Sequence, residues 1–141
     1  MIVEFAVEPE TPTDPPPARA ISEPVNLPQA AAELLQSAHA SPAGRAGRTL
    51  IRGAGAPLKQ ALLALVAGQS LAEHESPGAA TLHVLTGTVR MTGGRDDVEL
   101  HRGDHAAIPA VRHSVDALDD AVVLITVGQS SHPEPGAPGG V

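Results

Sequence analysis

The run Leu71–Gly87, LAEHESPGAATLHVLTG, places His74 and His83 close to Glu73 and Glu75, with Ser76 between them. Imidazole and carboxylate groups are the side chains that hold zinc or non-haem iron, usually as three protein ligands with an open position or as two histidines with a carboxylate. Cysteine is absent from the chain, so a thiolate site, a disulfide framework and a cysteine nucleophile are all excluded. Spacing then limits which groups can act together. Side chains of a strand alternate between its faces, so His74 and Ser76 share one face while Glu73 and Glu75 share the other. Beyond the Pro77-Gly78 turn, Ala80, Leu82 and Val84 share a face, and Thr81, His83 and Leu85 the opposite one. His83 joins His74 as a third ligand only if a bulge near Pro77-Gly78 shifts the register, and a bulge is likewise needed to turn Glu75 inward. Glu99 and Asp104 are the other candidate carboxylates. A neutral imidazole both donates and accepts, so histidines beside a serine hydroxyl can also hold a polar ligand without a metal.

Other chemistry finds little support. GAGA, Gly53–Ala56, lies between β-type runs and lacks the Lys-Ser/Thr of a phosphate loop. No G-x-S-x-G occurs, Ser76 and Ser114 lack a clear Ser-His-acid arrangement, and no helix-turn-helix pattern is present. The formal net charge is −7 with scattered arginines, which argues against nucleic acid or an anionic membrane as partner. Phe5 is the only aromatic residue, so stacking platforms for bases or sugars are missing and any core must be built from Val, Leu, Ile and Ala.

The elements that would position these groups are legible. Residues 1–25 are dominated by a proline-rich, acidic stretch that reads as a flexible segment, although IVEFAV at its start could add an edge strand. Residues 26–42 read as a helical arm: Asn26 caps, Pro28 suits the first turn, and Gln29 stands at the capping-box position. Leu27, Ala30, Ala31, Leu34, Leu35 and Ala38 form one apolar face, meant for the barrel or a neighbouring subunit, and Ser41-Pro42 ends the helix. His39 near its C-terminus favours the helix dipole when cationic and reads as structural. From Arg48, short β-type runs separated by turn residues predict an all-β sandwich or barrel over residues 48–127. LKQALLALV suits a helix by propensity, but Pro57 and Gly68 around it favour a strand. TVRMTGGRDDVEL reads as a hairpin with positive-φ glycines at Gly93-Gly94. His101, His105 and His132 read as surface residues, and residues 128–141 as a disordered tail. The longest apolar run, Ala61–Gly68, falls far short of the ~20 residues that span a bilayer. The first residues lack the basic start of a signal peptide. A cytoplasmic protein is the expectation.

Two half-motifs resemble the cupins, small double-stranded β-helix barrels of the jelly-roll type. Gly68, His74 and Gly87 match the first cupin motif. Gly103-Asp104, Pro109 and His113 match the second, and SVDALDDAVVLITV is similar to the last cupin strands. The resemblance covers roughly residues 58–127 and implies an all-β cupin barrel preceded by a short helix. Metal-binding cupins take three histidines and one glutamate from these motifs. Here His74 and His113 stand at ligand positions, Ser76 occupies the second histidine position, and Ala80 the glutamate position. The resemblance thus implies a degenerate site, with His74 and His113 as candidate ligands for a divalent metal (Fe, Mn, Ni or Zn). It also implies pairing into a homodimer, which suits a barrel with a small core.

Three functions follow. The first is a non-catalytic sensor or accessory protein that binds a small polar or carboxylate-bearing molecule in the barrel. His74, Ser76 and His113 line its pocket, and Leu82, Val84 and Val115 form its walls. The second is a metal-dependent enzyme of dioxygenase, isomerase or decarboxylase type, with His83 or Glu75 completing the shell. The third is a structural or interaction module without pocket chemistry.

Overall fold

A computed structural model describes residues 23–51, 57–74 (for 72–74 the backbone), 79–93, 95–109 and 113–128. Helix α1 spans Leu27–Ala40. Nine strands follow: β1 Arg45–Ile51, β2 Leu58–Leu65, β3 Ser70–His74, β4 Ala79–Thr86, β5 Thr88–Gly93, β6 Asp96–His101, β7 His105–Ala107, β8 His113–Ala117 and β9 Ala121–Gly128. The first strand begins at Arg45, three residues ahead of the boundary expected at Arg48. The readings of the N-terminal segment, of IVEFAV and of the C-terminal tail fall on residues outside the described ones.

The strands form two sheets, ordered β1-β2-β9-β4-β7 and β3-β8-β5-β6, with all pairings antiparallel. This is the jelly-roll arrangement expected from the sequence. The core between the sheets takes alternate residues of each strand: Ala80, Leu82 and Val84 from β4, Val89 and Met91 from β5, Val115 and Ala117 from β8, and Ala121 and Val123 from β9. A second core lies on the outer face of the five-stranded sheet. There Leu62 and Ala64 of β2 and Val122 of β9 meet Ala30, Ala31, Leu34 and Ala38 of α1. The central strands β2 and β9 are thus buried on both faces, which is why LKQALLALV shows an apolar run without alternation and mimics a helix.

The helix forms as its sequence directs. Asn26 Oδ1 accepts a hydrogen bond from the Gln29 N–H at 2.8 Å, and the chain turns extended at Ser41. Three alanines on the packed face let the helix backbone lie close to the sheet. No helix among the described residues is long and apolar enough to cross a membrane.

One end of the barrel is stitched shut. The Asp119 carboxylate accepts from the Thr88 N–H at 2.8 Å, and the Asp120 carboxylate accepts from the Ala67 N–H at 2.9 Å. His39 Nε2 lies 2.7 Å from the other Asp120 oxygen, so the end of α1 is tied to the β8–β9 turn. The Gly68 N–H donates to the Ala117 carbonyl, and the Ala117 N–H to the Gln69 carbonyl. The bond from Ala67, then the bond and charge of His39, hold the Asp120 carboxyl below its usual value. Gly87 and Gly68 both have positive φ, at 78° and 91°. A Cβ at Gly87 would collide with the Asp120 carbonyl oxygen, whereas one at Gly68 would meet nothing within 4 Å. Gly93 departs from expectation. Its φ is not in the positive region, because it still belongs to the ladder opposite Asp96 and His113; Gly94 lies outside the described residues. What requires glycine at 93 is a close approach, since a Cβ there would stand 2.6 Å from Pro109 Cγ.

Two outcomes are expected in chemical denaturation. Gly68→Ala destabilises by about 1 kcal/mol, the cost of a left-handed alanine, and Gly87→Ala by roughly 2 kcal/mol more, because backbone must also move; equal effects would contradict the close approach. For Asp120→Asn, the deficit against wild type is full above the ordinary carboxylate pKa of about 4. It disappears as pH falls through the lowered folded-state value, since a depressed carboxylate pKa stabilises only the ionised form.

Candidate functional site

The end opposite this stitching holds His113 and the backbone of His74. Gly93 and His74 are the direct cross-strand partners of His113 in the four-stranded sheet. In the five-stranded sheet, Lys59 and Ala80 flank Val127 in the same way. Ile108 and Pro109 bridge the two rows: the Ile108 N–H donates to the Ala80 carbonyl at 2.8 Å, and Pro109 packs against Gly93. The two rows therefore belong to one end of the barrel.

His113 occupies an inward position of β8. It alternates with Ser114 and Asp116 and shares its face with Val115 and Ala117, and it is 2 % exposed. No other polar or charged residue is buried among the described residues. A buried imidazole is costly unless hydrogen-bonded, which makes His113 the chemically informative group of the interior. Leu82, Val84 and Val115 surround the same interior and are at most 1 % exposed. For His74 the structure gives the backbone register, opposite His113. Glu75 and Ser76 lie outside the described residues.

The remaining candidates are placed elsewhere. β4 keeps an unbroken register with β9 from Ala79 to Val84, and its irregularity comes after Val84. No shift carries His83 inward, so it lies on the outer face, opposite to Leu82 and Val84, and it is not a third ligand beside His113. Glu99 alternates with the buried Leu100 and points to solvent, where its carboxylate lies 3.0 Å from His101 Nε2. The Asp104 carboxylate accepts from the His101 N–H at 2.8 Å. Neither carboxylate reaches the interior. His101 and His105 are exposed, as their sequence context suggests.

The donor set can be compared with the metal shell that the resemblance implies. Ala80, at the glutamate position, is 6 % exposed and packed in the apolar core. Among the described residues no group of three or more His, Asp or Glu side chains is arranged to hold a metal. A catalytic divalent ion needs about three protein ligands, and the described interior supplies one imidazole. The side chains of His74, Glu75 and Ser76 lie outside the described residues, so of that shell the described side chains include His113 alone.

What this end does offer is a groove of about 260 Å³ lined by Thr49, Ile51, Lys59, Gln60, Ala61, Ile125 and Val127. Its walls are mostly apolar and its one ionic group is the Lys59 ammonium. Lys59 is missing from the sequence-derived candidates, although it carries a signal. It stands in phase with Ala61, Leu63 and Leu65, so strand alternation alone turns it toward the interior face of β2.

Comparison with known proteins bears on the fold. No family model and no curated protein matches the chain. Several solved structures do. A conserved protein of unknown function from Streptococcus pyogenes is 26 % identical, with a TM-score of 0.57 over 64 % of this chain and 76 % of that one. An RmlC-like cupin protein from Desulfovibrio desulfuricans is 25 % identical, with a TM-score of 0.53 over 60 % and 81 %. A salicylate 1,2-dioxygenase from Pseudaminobacter salicylatoxidans is 17 % identical, with a TM-score of 0.61 over 71 % of this chain but only 33 % of that one.

Proposed function

We propose that this chain, whose fold is that of the cupin superfamily, is a binding protein for a small carboxylate-bearing molecule taken up at the open end of the barrel. The observation that carries the reading is the single ammonium, Lys59, in a mostly apolar groove at the end of the barrel that holds His113. An apolar wall with few placed polar groups is the usual composition of a small-molecule site. Lys59 attracts the carboxylate, Ile51, Ala61, Ile125 and Val127 take the apolar body, and the imidazole of His113, with His74 opposite it in register, provides polar contacts deeper in.

We further propose that the protein acts as a homodimer. Among the described residues, β1 ends the five-stranded sheet with one edge unpaired, and Ile51 and Leu58, at its end and beside it, are 41 % and 42 % exposed. An exposed strand edge with apolar neighbours is a ready pairing surface.

The binding reading is tested by thermal shift with a panel of aliphatic and aromatic monocarboxylates and their matched primary amides. Binding to the native state at a hundredfold excess over Kd stabilises by about 2.7 kcal/mol, so the acids that fit raise the melting midpoint and their amides do not. Lys59→Met is expected to weaken binding at least tenfold without lowering the midpoint of the free protein. Acids and amides that act alike, or a panel with no effect at millimolar concentration, would sink the proposal. For the dimer, sedimentation at micromolar concentration is expected to give twice the mass of the chain; a monomer at every concentration rules it out.

A further inference from the structure

The outer face of the five-stranded sheet carries a second pair of histidines. His83 of β4 is the direct antiparallel partner of His105 of β7. The Val84 N–H donates to the Asp104 carbonyl at 2.9 Å, so the ladder bonds fall at the flanking positions and His83–His105 is a non-hydrogen-bonded pair. That is the closer of the two antiparallel pair types, with Cα atoms ~4.5 Å apart. The ring centroids are 6.1 Å apart and the planes tilted by 52°. Apart from this ring contact, neither imidazole has a hydrogen bond or ion pair with any other described residue. β4 is hydrogen-bonded on both sides, to β9 and β7, so at least one of the two rings stands on a backbone that cannot shift.

The geometry points to a two-histidine chelate for a divalent transition metal ion, held between His83 and His105 on the outer face of the sheet. Imidazole nitrogens coordinate zinc at about 2.0–2.1 Å, and small χ rotations bring two rings at this separation onto one ion. The surroundings select the metal. The cavity beside His83 is lined by Pro28, Val84, Leu85, Thr86, Arg102 and Gly103 and has no carboxylate. Hard ions such as Mg2+ and Ca2+ require oxygen ligands and are excluded. Cu2+, Ni2+ and Zn2+ accept neutral imidazole, and the Arg102 guanidinium favours an anion or water in the remaining positions. Because His83 lies on the opposite face of β4 from Leu82 and Val84, this site is separate from the interior site of His113. Metal found on this protein is therefore no sign of a metal in the barrel.

The test is calorimetric titration of the full, untagged chain with Ni2+, Zn2+ and Cu2+ in a non-coordinating buffer, beside His83→Ala, His105→Ala, His101→Ala and His113→Leu. Circular dichroism confirms that each variant is folded, as the outer positions of 83, 101 and 105 allow. About one equivalent is expected for wild type, His101→Ala and His113→Leu, with affinity at least tenfold weaker in His83→Ala and in His105→Ala, and with no heat from Mg2+ or Ca2+. Cu2+ is also expected to broaden the amide resonances around 83 and 105 first. Undiminished affinity in His83→Ala or His105→Ala, or loss in His101→Ala or His113→Leu, overturns the proposal. None of these outcomes depends on carboxylate binding at Lys59, so the two proposals fail independently.

Discussion

The double burial of β9 is the constraint on which the rest of the structure depends. Ala121 and Val123 face the four-stranded sheet while Val122, between them, faces the helix. Phe5 is the only aromatic residue in the chain, so the core of the described residues lacks the roughly 150–250 Å² that each buried aromatic ring contributes. The protein compensates with two aliphatic layers that share a strand. Helix α1 is thus part of the fold. It covers Leu62, Ala64 and Val122, and its alanines let it approach closely enough to exclude water. Removing it would leave a sheet with an apolar outer face.

Sharing a strand also orders the two ends of the barrel. The turns at Gly68, Gly87 and Asp119-Asp120 crowd against each other, tied by backbone and carboxylate hydrogen bonds, and the end of α1 joins them through His39. The other end holds Lys59, Ala80, Gly93 and His113, and the groove opens beside Lys59. Close packing at the first end holds the strand registers, and those registers decide which residues face inward at the second. The single frame that keeps His113 inside keeps His83 outside.

Much of this was legible in the sequence, and what was not has physical causes. The helix was readable from Asn26, Pro28 and the spacing of its alanines, because capping and amphipathic periodicity are local. Strand identity was readable from turn residues, even for LKQALLALV, where burial on both faces erases the alternation. The inward face of His113 came from the Gly-Asp, Pro, His pattern. Three features could not be read so directly. The role of Gly93 is set by Pro109, a residue distant in sequence, so its glycine looked like an ordinary hairpin turn. Lys59 showed its phase but not its neighbours, which come from β1 and β9. The pairing of His83 with His105 depends on a register that no local pattern states, so His83, weighed as a ligand for the interior, and His105, read as a surface residue, gave no hint of each other.

The separation of the barrel's two ends has an evolutionary consequence. The hydrogen bonds that close the first end sit away from the groove, so changes around Lys59 need not disturb them. Substitutions at Thr49, Ile51 or Lys59 can reshape the groove while the closed end preserves foldedness. Such a scaffold can vary the shape and charge of its open end without first acquiring compensating stability, which makes that end a practical one for redesign.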